Sequence, residues 1–74
     1  MENKTIELPE SIKYDICMIN LQIQEWRNGW VVRYRNYTTI DGGLCFIEPF
    51  RCWSKSLQRA KNSMFNKLKK RGLI

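Results

Sequence analysis

The sequence predicts a small α+β domain: an antiparallel β-meander of three strands, with room for a fourth N-terminal one, packed against a single C-terminal helix. Three observations carry this. Asn28-Gly29 stands between two runs of strand-like residues, and an Asn-Gly pair accepts the positive φ angles of a tight hairpin turn. Leu57, Ala60, Met64 and Leu68 recur at helical spacing before a terminating Gly72. With 74 residues, the chain is one small domain that buries about 60–65% of its unfolded surface, enough for one helix on a small sheet. The domain is read over residues 1–74, with 1–11 as a loose N-terminal arm and 54–71 as the basic helix.

Residues 9–20 admit two readings. Ile12, Ile16, Ile19 and Ile23 keep a heptad-like spacing that suits a helix opened by Pro9. The β-branched content and the alternation Ile12, Tyr14, Ile16, then Cys17, Ile19, Leu21, Ile23 suit strand, with a change of phase near Ile16-Cys17 that a bulge or break would produce. Strand is the reading adopted. A two-residue turn at Asn28-Gly29 places Glu25 opposite Val32 and Ile23 opposite Tyr34. One face is then largely apolar, and the other carries Gln22, Gln24, Arg33, Arg35 and Tyr37, with Trp26 and Val31 nearer the turn. Residues 36–43 read as a loop closing on Asp41-Gly42-Gly43. Leu44–Ile47 reads as the third strand, which ends at Pro49 or continues past it as an edge. Ser54 is the expected N-cap, and Gly72-Leu73 suits a terminator in which Leu73 folds back on the last turn.

Charge is unevenly distributed. Every acidic residue lies at or before Glu48; the first fifty residues carry five basic and seven acidic groups, and the rest carry eight basic and none acidic. The total of +6 is thus a −2 body joined to a +8 segment. A field of one sign attracts polyanions. On the helix, Lys55, Arg59, Lys69 and Lys70 lie broadly opposite the apolar stripe, with Lys67 and Arg71 beside it. No acidic residue is present for i,i+4 pairing, which costs helix stability through like-charge repulsion. Cations of the last turn complement the helix dipole, but that does not account for Lys55, Arg59 or Lys61.

The Arg/Gln sheet face is the second candidate constellation. Arg addresses guanine or phosphate with two parallel donors, Gln addresses adenine, and a β-ribbon fits the major groove. A one-sided sheet needs a polar solvent face in any case. Trp30 and Trp53 read as packing residues, and Trp26 falls on the Arg/Gln face; Trp26 and Trp53 are the candidate aromatic contacts.

Several function classes are set aside. The chain has no His, dispersed carboxylates and no nucleotide or nucleophile motif, so no enzyme is expected. Its three cysteines lack metal-ligand spacing, so neither metal nor other cofactor is expected. A Cys45–Cys52 bridge is disfavoured, and free thiols point to a reducing, cytoplasmic setting. No secretory signal or membrane-length apolar run is present.

The stretch Gly29-Trp30-Val31-Val32-Arg33-Tyr34-Arg35-Asn36, followed by a loop, a third strand and a helix containing Ala60, resembles the arm-type DNA-binding N-terminal domain of phage and transposon tyrosine recombinases. The resemblance covers roughly residues 21–71. It implies three antiparallel strands and a C-terminal helix, with the sheet in the DNA major groove and Arg33, Arg35 and Tyr37 as DNA contacts. Trp53-Ser54-Lys55 echoes that family's aromatic–Thr–Lys approach to the helix at a different spacing, and no catalytic domain follows. Ser56 with Ala60-Lys61 is similar to the last helix of double-stranded RNA-binding domains, whose glycines and first helix are missing here.

The expectation is therefore a non-enzymatic nucleic-acid-binding accessory protein of phage or mobile-element type, with duplex DNA as partner. Gln22, Gln24, Arg33, Arg35 and Tyr37 would face a groove, and Lys55, Arg59, Lys69, Lys70 and Arg71 would hold phosphates. The alternative is a small inhibitor that docks its basic, aromatic surface on an acidic or nucleic-acid-binding host or defence protein.

Overall fold

The computed structural model describes residues 7–15 and 17–74. Residues 1–6 of the expected N-terminal arm, and Ile16 at the expected phase change, lie outside the described residues. Strands β1 (Ser11–Tyr14), β2 (Cys17–Trp26), β3 (Gly29–Ile40) and β4 (Gly43–Ser54) form one antiparallel sheet in sequence order, and helix α1 (Leu57–Lys70) follows. The α+β meander is as expected, and the fourth, N-terminal strand is present. Ser11–Tyr14 pairs with Cys17–Asn20, so this part of the chain is a hairpin rather than a helix.

The β2–β3 turn differs from expectation. Its two residues are Arg27 and Asn28, both left-handed (φ 52° and 58°), and Gly29 already belongs to β3, paired with Trp26. Two successive positive φ angles are the signature of a type I′ turn, which Asn tolerates and Arg adopts at a cost. Gly29 is required for a different reason. A β-carbon there would stand 2.5 Å from Cζ2 of Trp53 and 2.6 Å from the carbonyl oxygen of Ser54. The pairing is thus displaced by two residues, with Glu25 opposite Trp30, Ile23 opposite Val32 and Leu21 opposite Tyr34. Side chains alternate with period two, so a shift of two leaves every residue on its expected face.

The segment expected as a loop over 36–43 is mostly strand. β3 continues to Ile40, which pairs with Gly43, and only Asp41 (φ 51°) and Gly42 (φ 80°) turn. Tyr37, Thr38, Thr39 and Ile40 are strong strand formers, and the Asp-Gly pair closes them as a second two-residue hairpin. β4 runs past Pro49 as an edge strand. Tyr34 faces Phe50 but Asn36 faces Ile47, so Glu48 and Pro49 together oppose Arg35. This bulge is where a strand accommodates a proline.

The helix begins later than expected. Ser54 ends β4, and Ser56 is the N-cap, its Oγ accepting from the Arg59 N–H at 3.4 Å. At the other end Gly72 (φ 74°) donates to the Lys69 carbonyl and Leu73 donates to the Leu68 carbonyl, each at 3.0 Å. These paired bonds satisfy the last helical carbonyls, and Leu73 folds back to pack on the core as the sequence indicated.

Ala60, Met64 and Leu68 of α1 are buried against Ile19, Val32, Tyr34 and Phe50 of the sheet. Each large apolar side chain so buried contributes about 1.5–3 kcal/mol relative to exposure. The phenol of Tyr34, fully buried in this layer, donates to the carbonyl of Pro9 at 2.6 Å and fastens the segment before β1 to the core. Cys52 is buried there as a free thiol; the side chain of Cys45, the other half of the disfavoured bridge, lies outside the described residues.

Candidate nucleic-acid interface

Because α1 packs on the face of β3 that carries Val32 and Tyr34, the odd-numbered residues of β3 occupy the opposite, uncovered face. Arg33, Arg35 and Tyr37 lie there in a row. Gln22 is the cross-strand partner of Arg33, Gln24 that of Val31, and Trp26 closes the row at the turn. On β4 the partners of Val31, Arg33 and Tyr37 are Trp53, Arg51 and Phe46. The structure therefore brings Gln22, Gln24, Arg33, Arg35, Tyr37, Trp26 and Trp53 onto one surface.

It does not bring the helix cations to that surface. Lys55, Arg59, Lys69, Lys70 and Arg71 are exposed, but they belong to the helix side of the sheet. Arg71 turns back over the Phe50 ring at 5.6 Å, and Lys69 lies over Phe65 at 5.8 Å. The sheet separates the two groups, so they are not neighbouring halves of one groove-binding surface.

The middle of the open face is polar and charged. Arg33 Nη2 donates to Gln24 Oε1 at 2.8 Å. Oε1 of Glu48 stands 3.8 Å from both Arg33 Nε and Arg35 Nη1, with the three side chains only 15–24% exposed. At 3.8 Å these are ion pairs without a hydrogen bond, and Arg33 Nε is buried with no hydrogen-bond partner. The bulge explains how Glu48 arrives here. The extra residue lets Ile47 and Phe50 both face the core while Glu48 faces the arginines. Arg51 sits directly across from Arg33, a like-charge pairing that opposes sheet formation.

Aromatic residues flank this centre. Towards the β2–β3 turn, the Trp53 indole N–H donates to the Trp26 carbonyl at 2.9 Å. Arg27 and Arg51 lie over the Trp26 ring at 4.5 and 5.3 Å. A shallow cleft is lined by Trp26, Arg27 and Trp53, and Val31 is buried between its cross-strand partners Gln24 and Trp53. Trp53 thus packs on the sheet, as expected of it, yet stays 43% exposed on the open face, beside Trp26 at 41%.

Towards the other end, β2 stops pairing with β3 at Asn20–Arg35, and β3–β4 continues as a two-stranded ribbon. There Tyr37 and Phe46 stack at 4.8 Å with both rings about half exposed, and Arg35 lies 5.6 Å from the Phe46 ring.

Sequence reasoning missed Arg27, Phe46, Glu48 and Arg51. The available signal was Pro49. A bulge at that proline, carried through the register, places Arg51 opposite Arg33 and turns Glu48 to the same face.

Among the described residues, no group of three or more His, Cys, Asp or Glu side chains is placed to hold a metal ion, and no helix is long and apolar enough to cross a membrane. No protein-family model, curated protein or solved structure matches the chain.

Proposed function

We propose that the protein is a non-enzymatic nucleic-acid-binding protein that lays its open sheet face in the major groove of duplex DNA, as the resemblance to recombinase arm-type domains implies. The observation that carries this reading is the charge of that face: among the described residues, Arg27, Arg33, Arg35 and Arg51 stand against a single carboxylate, Glu48. A solvent-facing sheet gains nothing from setting Arg33 across from Arg51, whereas an anionic ligand between strands offsets that repulsion. A sheet backed by a helix presents a β surface of the kind that enters the major groove. Arg51, Arg27 and Lys13 lie towards the margins of the face, where phosphates flank a groove. The helix cations add to the overall positive field and are not part of the groove contact.

The test is fluorescence-anisotropy binding to a generic duplex across a salt series. Affinity is expected to fall with a log–log slope of about −0.9 per phosphate contact. Replacing Arg33 and Arg35 together with Ala is expected to weaken binding far more than replacing Lys69, Lys70 and Arg71. Absence of binding at low salt rejects the reading. A protein partner is then favoured by the exposed apolar ribbon of Tyr37, Leu44 and Phe46.

A further inference from the structure

Glu48 is the one feature of the open face that a phosphate clamp does not explain. Two arginines that converge on a phosphate need the space between them empty or filled by the anion. Here a carboxylate already occupies it, 3.8 Å from each guanidinium, and repels a phosphate approaching the same point. Resting on the duplex-DNA reading above, we infer that the Arg33–Glu48–Arg35 cluster is a base-reading centre that selects a G·C base pair, with Glu48 as its specificity-determining residue.

The chemistry of the base edges supports the assignment. In the major groove a G·C pair presents two acceptors, N7 and O6 of guanine, followed by one donor, N4 of cytosine. An A·T pair presents acceptor, donor, acceptor and a methyl group, so a guanidinium beside a carboxylate complements G·C and mismatches A·T. The Arg35 side chain makes no hydrogen bond among the described residues, and its contact with Glu48 is through Nη1. Its other guanidinium edge is free to donate twice to guanine.

Both ion pairs of Glu48 are made by Oε1, which leaves Oε2 to accept from cytosine N4. Arg33 is the fixed member, tied to Gln24 through Nη2 and facing Glu48 through Nε. The acceptor oxygen of Gln24 is engaged in that bond, so Gln24 orients Arg33 and is not available as the two-pronged adenine reader its residue type suggests. Mutual neutralisation within the cluster also moves phosphate attraction to the margins of the face.

The experiment compares two duplexes of equal length, one all G·C and one all A·T, for the wild type, Glu48→Ala and Glu48→Gln, with circular dichroism confirming each fold. The wild type is expected to prefer the G·C duplex by about ten-fold, the scale of one good two-pronged base contact. Glu48→Ala is expected to bring the ratio close to one while binding A·T DNA as tightly as wild type or more so, because the freed arginines turn to phosphate. Glu48→Gln keeps the shape and an acceptor, and is expected to retain part of the preference.

A wild type without preference, or a Glu48→Ala variant that keeps it, overturns the inference and leaves the DNA-binding reading standing. Failure of the wild type to bind either duplex at low salt removes both.

Discussion

Trp53 lies directly over Gly29, so close that a β-carbon on residue 29 would stand 2.5 Å from the indole ring. The same indole donates to the Trp26 carbonyl, and together these contacts hold the β2–β3 turn to the edge strand. Replacing Gly29 with Ala forces the ring or the strand to move. Overpacking of this kind costs about 1–3 kcal/mol, partly offset by the reduced freedom of the unfolded chain. A lower urea midpoint with an unchanged m-value is expected, together with a shift in tryptophan emission.

The buried phenol of Tyr34 makes the fold sensitive to alkali. Burial raises its pKa from 10.0 to about 12, because the phenolate is deprived of water. The folded state holds this proton more tightly than the unfolded chain, so the associated stability is intact below pH 10 and is lost as pH rises towards 12. Urea titrations between those pH values are expected to show a steeper loss for wild type than for Tyr34→Phe. Near neutral pH the Phe variant is expected to be less stable by about 1 kcal/mol, through loss of the bond to the Pro9 carbonyl.

Gly72 ends the helix with φ at +74°, in open space. Ala at this position meets no atom but must adopt the left-handed conformation, at a cost of about 1 kcal/mol. A thermal melt of Gly72→Ala is expected to show that loss, and the proposed duplex binding, followed by anisotropy, is expected to be the same as that of the wild type.

Arg51 sets stability against binding. Its removal relieves the cross-strand repulsion with Arg33, and Arg51→Ala is expected to gain a few tenths of a kcal/mol in stability. The same variant is expected to flatten the salt dependence of duplex binding by about one unit of slope, the mark of a lost phosphate contact. A variant that is both less stable and unaltered in slope places Arg51 outside the interface.

The contrast between what sequence and structure reveal follows from the range of the interactions involved. The β2–β3 hairpin, its faces, the helix stripe and the Gly72-Leu73 terminator depend on residues close in the chain, and periodicity exposes them. The exact turn does not. Asn-Gly favours Asn28-Gly29, yet Gly29 is claimed by Trp53, a residue from another strand that no local pattern reveals.

Pro49 was likewise legible as an irregularity but not as a bulge, because its consequence depends on which residues of β3 it faces. The expected union of the basic helix with the Arg/Gln face failed for a topological reason. An amphipathic helix covers one side of a sheet, and the polar side of that sheet is necessarily the other.

The bulge at Glu48-Pro49 makes the length of β4 as consequential as its composition. It is the point at which the strand changes phase, so that Phe50 and Cys52 meet the helix while Arg51 and Trp53 meet the exterior. Were the strand to pass through Glu48 and Pro49 in regular alternation instead, the remainder would be turned over, driving a guanidinium and an indole towards the helix and setting Phe50 in water. Substitutions along β4 alter the protein one side chain at a time; the one extra residue at this position decides which half of the strand's side chains is inside and which is outside.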